Sequence, residues 1–555
     1  MAKPIGVLLK EEGYITEQMI KYALRVQKAT GDRLGDALLK LRLVNDTEIA
    51  QVLAKQSNQH FQELHGMTPI AEALKQVPYN FATKHEVLPL EVTDGKLLIA
   101  ISDPFDDSTL SRLGVYSSYP LEIRVSPASQ IRRLTEQFYY FVDHPLDDEI
   151  EKALTAFKQN RNFELEKLTK LLLSAAIQIN SSDIHISATD QATLISYRID
   201  GILQLRYSFP ISIHSRLSSS LKVSSNMDIA ELHRPQDGRM SFTFLGNEFD
   251  LRVSCIPTTF GDNIVIRVLS NNDDVKSLEQ LGYSAQQLEQ LTRLVNQPSG
   301  LVLATGPTGS GKSTTLYGLL RKVNAIEKNV LTIEDPVEYS LPLARQVSVN
   351  EKAGITFSSS IRSFLRQDPD VMLIGEIRDE ETAQLAIRAS QTGHLVLSTL
   401  HTNDATASIA RLRDLDVSDF LISSSVSCII AQRLLRKLCD HCKEPDLTQN
   451  SETDMYYKAA GCDHCHHSGY VGRIAVAEIL ELNDELRRLI DKGASPLDIR
   501  QFAIEQGFIP LYENGHSLAK KGVTDMEEVN RVLSNESVQK TPAQSNNISR
   551  LDKAA

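Results

Sequence analysis

Residues 306–313 read Gly306-Pro-Thr-Gly-Ser-Gly311-Lys312-Ser313 and follow the apolar run Ser299–Thr305. A buried strand feeding a glycine-rich turn, with lysine and a hydroxyl opening a helix, makes a phosphate-binding loop. Glycines let backbone N–H groups converge on phosphate oxygens at a helix N-terminus, and lysine adds a point charge. The spacing nominates Gly306, Thr308, Gly309, Ser310, Gly311, Lys312, Ser313 and Thr314 as a nucleoside triphosphate cradle. Lys312 is expected on the β- and γ-phosphate oxygens and the Ser313 hydroxyl on Mg²⁺.

Three further segments bear on the reaction. Asn329–Glu338 is a buried-type strand ending in the carboxylates Glu334, Asp335 and Glu338, and Asp370–Asp379 is a second apolar strand ending in Glu376. In a parallel sheet the strand C-termini line the ligand crevice. Carboxylates there can hold Mg²⁺ through water or polarise an attacking water. The third segment, Thr392–Asp404, is a strand with His394 and His401 at its two ends. Any one acid could simply cap a helix; the set, in this order behind a phosphate loop, points to hydrolysis.

Of six cysteines, Cys255 and Cys428 lie in apolar stretches and read as buried thiols. The others form Cys439-x-x-Cys442 and Cys462-x-x-Cys465, with nineteen residues between the pairs. In a reducing compartment two matched pairs read as a closed, structural four-thiolate zinc site, with a redox pair as the competing reading.

The elements that must position these groups need several cores, because 555 residues exceed one. The 59 basic and 71 acidic residues give a net charge of −12, which argues against bulk nucleic-acid binding. No apolar run approaches the roughly 20 residues of a membrane span, and the N-terminus breaks into charge too early for a signal peptide. A cytosolic protein is expected.

The first 56 residues hold a tandem repeat: 24 residues from Pro4 to Gln27, a five-residue spacer, and 24 more from Arg33 to Gln56. Gly6/Gly35, Leu9/Leu38, Ile20/Ile49, Leu24/Leu53 and Gln27/Gln56 fall in register. Each unit reads as a short helix, a turn and a longer helix, with Asn45 and Glu48 as an N-cap and its acidic partner. The glutamine ending each apolar stripe is either a satisfied cap or a polar hook for a ligand.

The expected domains are the repeat (1–60), a mixed α/β remainder (61–145) with a hairpin at Asp94-Gly95, and a polar linker (146–164). A β-rich α+β domain (165–272) follows, then an α/β core (273–437), the zinc module (438–470), C-terminal helices (471–534) and a disordered tail (535–555). The fold class is thus α/β multidomain.

The phosphate loop, Ile-Glu334-Asp-Pro-Val-Glu338, Gly-Glu376-Ile-Arg-Asp and the Gly-His394…His401-Thr-Asn box together resemble the secretion ATPase superfamily, the motors of type II secretion, type IV pili and type IV secretion. The cysteine module narrows the resemblance to the secretion and pilus-assembly branch. It implies a RecA-like P-loop core, a preceding PAS-like domain, Mg²⁺-dependent ATP hydrolysis, a homo-hexamer, and work with an inner-membrane platform protein and a cytoplasmic docking protein. It further implies that Arg252 and Arg267 close over the γ-phosphate, while His394 and His401 sense that phosphate or couple neighbours. Relatives usually carry Gly-Glu at Gly261-Asp262.

The repeat resembles the N-terminal domain of the mannose-sensitive haemagglutinin pilus ATPase, which implies cyclic di-GMP binding. The matching positions are Arg33, Leu34, Gly35, Leu53 and Gln56 in the second unit, and Ile5, Gly6, Leu24 and Gln27 in the first. Pro4 stands where that pattern has arginine and Arg42 where it has glycine. Pilus assembly is the expected function, with a type II secretion motor and a non-hydrolysing nucleotide-binding regulator as alternatives.

Overall fold

The 24-residue repeat folds as two helical pairs: α1 (Ile5–Glu11) with α2 (Glu17–Thr30), and α3 (Leu34–Lys40) with α4 (Asp46–Ser57). Thr16 caps α2 by accepting from Met19 N–H, and Asn45 with Glu48 forms a reciprocal capping box at α4. The same positions meet in both halves. A Cβ on Gly6 would lie 3.8 Å from Ile20, and one on Gly35 3.8 Å from Ile49. The turn after each short helix needs a left-handed residue, Gly13 at φ +77° and Arg42 at φ +50°. Arg42 therefore keeps the glycine geometry, at a strain of about 1 kcal/mol.

The computed structural model describes residues 3–64, 67, 70–159, 163–270, 276–449 and 455–533, in two compact units divided at 274/275. In the first unit, strands β1 (His60–Phe61), β2 (Val87–Thr93), β3 (Lys96–Ile101) and β4 (Leu121–Val125) form a sheet in the order β1-β4-β3-β2. β2 and β3 make the expected hairpin, with Asp94 and Gly95 both at positive φ. The helix Ala128–Asp143 buries Ile131, Leu134 and Phe138 against this sheet.

The stretch 146–164 is not the polar linker expected: Leu146–Lys158 is a helix whose Leu146 and Ile150 are buried. Its early acids occupy the first helical turn, where the macrodipole favours them, and its apolar residues recur on one face. Residues 160–162 lie outside the described residues, as does the tail from 534.

An antiparallel six-stranded sheet completes this unit: β5 (Asp183–Ala188), β6 (Ala192–Ile199), β7 (Ile202–Pro210), β8 (Gln236–Phe244), β9 (Asn247–Thr258) and β10 (Gly261–Ser270), in the order β7-β6-β5-β10-β9-β8. Alternation gives it one buried face. Ile184, Ile195, Tyr197, Leu251, Val253 and Ile264 pack against the helices Leu165–Gln178 and His214–Ser224. Tyr197 spends its hydroxyl on Leu172 O at 2.7 Å.

The second unit is built on β11 (Gly300–Thr305), β12 (Val330–Glu334), β13 (Arg345–Ser348), β14 (Val371–Ile374), β15 (Leu395–Leu400) and β16 (Val426–Leu438). Beyond the small ribbon β17 (Glu444–Pro445) and β18 (Tyr457–Lys458) comes β19 (Tyr470–Glu481). The main sheet runs β13-β12-β14-β15-β11-β16-β19, parallel except where β19 turns back along β16. Its successive residues feed two cores. Leu301, Leu303 and Val396 join one face, Val302, Ala304 and Leu397 the other. β19 corrects the expectation of helices from 471. The run Ile474-Ala-Val-Ala-Glu-Ile-Leu480 is apolar and partly β-branched, so it extends the core sheet past the cysteine module.

Candidate functional site

The fully buried strand β11 delivers the chain to Gly306, and the helix Lys312–Lys322 starts six residues later. Gly306, Gly309 and Gly311 sit at φ +147°, +78° and +87°. Gly306 and Gly311 are also pressed close. A Cβ on the first would lie 2.6 Å from Gln432 O, and one on the second 2.7 Å from Gln432 Nε2. Ser310 is buried, Ser313 and Thr314 are half-buried, and Thr308 is exposed.

Lys312 is buried and donates to Gly306 O at 2.8 Å and Pro307 O at 3.1 Å. Burial pushes its ammonium below the ordinary lysine range, Glu376 pulls it back up, and Arg433 pushes it down again. Lys312 and Glu376 thus share one electrostatic neighbourhood.

Glu376 follows β14 and is the acid whose charge acts on Lys312. Arg378 pairs with it, and His401 Nε2 lies 3.6 Å from Glu376 Oε2. Burial and then the Lys312 ammonium lower the His401 pKa, with Glu376 opposing them. Arg378 also reaches Asp335 Oδ2 at 3.8 Å, so it spans the ends of β12 and β14. The turn carrying His401 is held by a hydroxyl relay. Thr402 N–H donates to Thr305 Oγ1 at 2.9 Å, and the two threonine hydroxyls lie 2.6 Å apart.

Glu334 is buried at the end of β12 and accepts from the Tyr317 hydroxyl, from Thr332 Oγ1 at 2.6 Å and from Gln346 Nε2 at 3.3 Å. Glu338 is exposed, four residues on. The two histidines stand at the two ends of β15, as the sequence suggests. His394 precedes β15 whereas His401 follows it, so the six-residue strand of about 20 Å separates them. His394 Nδ1 lies 2.8 Å from Ala389 O, at the N-terminal end of the parallel strands, whereas the phosphate loop follows the C-terminal end of β11.

The four cysteine sulfurs all lie within 4.8 Å of one another, where the ends of β16 and β19 meet. Cys439–Cys462 is 3.9 Å, Cys442–Cys465 3.8 Å and Cys462–Cys465 3.8 Å. A tetrahedron with Zn–S bonds of about 2.3 Å has edges of about 3.8 Å, so the set fits zinc. Burial works against a Cys465 thiolate, yet N–H donors from Cys462 and Gly469 outweigh it and bring the thiol down to about 7. Cys255 and Cys428 are buried, as expected.

In the first unit, Arg252 on β9 and Arg267 on β10 are direct cross-strand partners on the sheet's open face. Arg267 Nε donates to Asp183 Oδ1 at 3.0 Å. Asp262 forms an ion pair with buried Lys222 at 2.8 Å. In the repeat, Arg33 is exposed just before α3, beside half-buried Leu34 and Gly35. Leu34 packs onto Gly6, and Ile5, Leu53 and Gln27 are half-buried while Leu24 is exposed. Gln56 Nε2 donates to Lys3 O at 2.8 Å, which ties the end of the second unit to the start of the first.

Sequence reasoning missed Gln432. It is fully buried on β16, donates to Ser310 O at 2.8 Å, and accepts from Tyr283 and Thr315 hydroxyls, each at 2.7 Å. The signal was present: Gln432-Arg433 is a polar pair inside the apolar run Val426–Leu435. Such a pair survives burial only when it is hydrogen-bonded.

A family model described as type II/IV secretion system protein matches residues 158–531, and one described as the MshEN domain matches residues 59–144. The second match begins past the 24-residue repeat. The chain is 35% identical to the type IV pilus assembly ATPase PilB of Myxococcus xanthus, over 95% of this chain and 98% of that one. It is 37% identical to type II secretion system protein E of Dickeya dadantii, over 83% of this chain and 97% of that one. In three dimensions it resembles the Yersinia pseudotuberculosis ATPase DotB, with a TM-score of 0.51 at 22% identity over 66% of this chain and 94% of that one, a likeness of fold alone. Among the described residues no helix is long and apolar enough to cross a membrane. The chain belongs to the type II/IV secretion system protein family.

Proposed function

We propose that this member of the type II/IV secretion system family is a Mg²⁺-dependent ATPase that powers type IV pilus assembly as a homo-hexamer at the cytoplasmic side of an inner membrane. The observation that carries the ATPase reading is the convergence of Lys312, Glu376 and His401 at the C-terminal ends of three adjacent parallel strands, β11, β14 and β15. Loop N–H groups and Lys312 bind the phosphates. Ser313, Glu334 and Glu338 are the groups that would hold Mg²⁺, directly or through water, and the metal when bound neutralises charge on the β- and γ-oxygens. Glu376 orients or deprotonates the attacking water, and His401 answers to the γ-phosphate. Arg252 and Arg267 close over the developing charge as rigid guanidinium forks. His394 lies away from this chemistry within the chain, so its role is contact with a neighbouring subunit. Cys439, Cys442, Cys462 and Cys465 hold a structural zinc.

Relatives named for pilus assembly and for type II secretion match at similar identity, so the secretion motor is the second reading. Restoring pili, as against secretion, in strains lacking the respective ATPase separates the two. Phosphate release measured on the full chain with ATP and Mg²⁺ tests the enzyme reading: wild-type turnover in Lys312→Ala would end it.

The repeat is proposed to bind cyclic di-GMP through Arg33, Leu34, Gly35, Leu53 and Gln56, with Ile5, Gly6, Leu24 and Gln27 in the first unit. Arg42 supports this by keeping the glycine-like turn, while Pro4 removes one guanidinium. Calorimetric titration of cyclic di-GMP into the full chain is expected to give micromolar binding that Arg33→Ala abolishes. No heat at high micromolar ligand would leave the repeat as a docking module for the platform or docking protein.

A further inference from the structure

A third arginine continues the pair on the open sheet face. Arg239 on β8 stands directly opposite Arg252 on β9, which stands directly opposite Arg267 on β10. Three guanidinium groups therefore occupy one row across three adjacent strands. Like charges directly opposite one another destabilise a sheet, so such a row is a standing liability unless an anion answers it.

The acidic compensation is one-sided. Asp183, the next position in the row, takes Arg267 at 3.0 Å and Arg198 at 3.7 Å. Arg239 and Arg252 make no ion pair among the described residues, and the Arg252 Nε is buried with no hydrogen-bond partner. The row borders a cavity of about 430 Å³ that Asp237, Ser254 and Val265 also line. β8 is also held firmly. Gly238 lets it approach so closely that a Cβ there would lie 2.3 Å from Ser225 O, which fixes the strand carrying Arg239.

Adjacent strands lie about 4.8 Å apart, so the row spans about 10 Å, the reach of several linked phosphates and more than one needs. We propose that Arg239, Arg252 and Arg267 act as one row that binds an oligophosphate chain, and that Arg239 is the third phosphate contact. This rests on the reading of Arg252 and Arg267 as the groups that close on the nucleotide phosphates. Arginine suits the task because its planar fork binds phosphate oxygens two at a time.

The test uses the full chain carrying Lys312→Ala, which weakens the phosphate loop and leaves the row as the principal oligophosphate site. Inorganic tripolyphosphate, ATP and orthophosphate are titrated calorimetrically into it, with and without Arg239→Ala or Arg239→Lys. Expected is tripolyphosphate and ATP binding that Arg239→Ala weakens about tenfold and Arg239→Lys partly restores, with orthophosphate much weaker throughout. Arg239 is exposed, so an unchanged melting temperature accompanies the loss. Tripolyphosphate affinity unchanged by Arg239→Ala, or no binding in the Lys312→Ala chain, overturns the proposal. Failure of the enzyme reading is distinguishable, because it appears as absent phosphate release in the wild-type chain whatever Arg239 does.

Discussion

The phosphate loop and the arginine row are both cationic, and they are held in opposite ways. Around the loop, Lys312 donates to two loop carbonyls, Gln432 closes a buried network with Tyr283 and Thr315, and Glu376 is met by Arg378 and His401. The row is left open: Arg239 and Arg252 stand opposite each other and neither makes an ion pair among the described residues. A self-satisfied site is pre-organised and costs little to keep in shape between turnovers. An under-satisfied one is tuned for something that arrives from outside it.

The largest expected effect separates chemistry from stability at the loop. Lys312→Ala or Glu376→Gln should lower hydrolysis at least about 10²–10³-fold with little change in urea unfolding, and near-normal turnover in either would break the comparison. Next comes Gln432→Leu. It strands Ser310 O and two hydroxyls in a buried site, so the second unit should lose about 3 kcal/mol, read from its denaturant midpoint. A loss under about 0.5 kcal/mol would mean the network is decoration.

The arginine row should behave in the reverse way. Arg252→Ala is expected to cut activity yet leave stability unchanged or raise it by about 0.2–1 kcal/mol, because like-charge repulsion is relieved. A clear loss of stability would make the row structural. The smallest effect is a pH dependence at His401. Burial and Lys312 disfavour its imidazolium, so the unfolded chain binds a proton that the folded chain refuses. Stability should therefore fall as pH drops below about 6.5, the ordinary imidazole pKa, and be flat above it, and His401→Gln should flatten that slope.

How much of this was legible varies by element. The capping box at Asn45 and Glu48, the Asp94-Gly95 hairpin and the phosphate-loop strand–turn–helix were readable, since each is fixed by neighbours within a few residues. The helix at Leu146–Lys158 was masked by its own acids, which mark a helix start as well as a solvated linker. β19 was misread because an apolar run after a metal module carries no label for strand or helix; pairing with β16 supplies it.

By itself, then, the sequence determined the local chemistry: which turn cradles phosphate, which carboxylates end apolar strands, which four thiols belong together, and that the first 56 residues repeat. These depend on spacing within a segment, where bond geometry leaves few choices. Tertiary structure alone decided which distant residues meet. It brought His401 to Glu376, set Gln432 beneath a loop more than a hundred residues away, and brought Arg239, Arg252 and Arg267 into a single row. Register and strand order are set by the burial of whole faces at once, and no local run of residues encodes that balance.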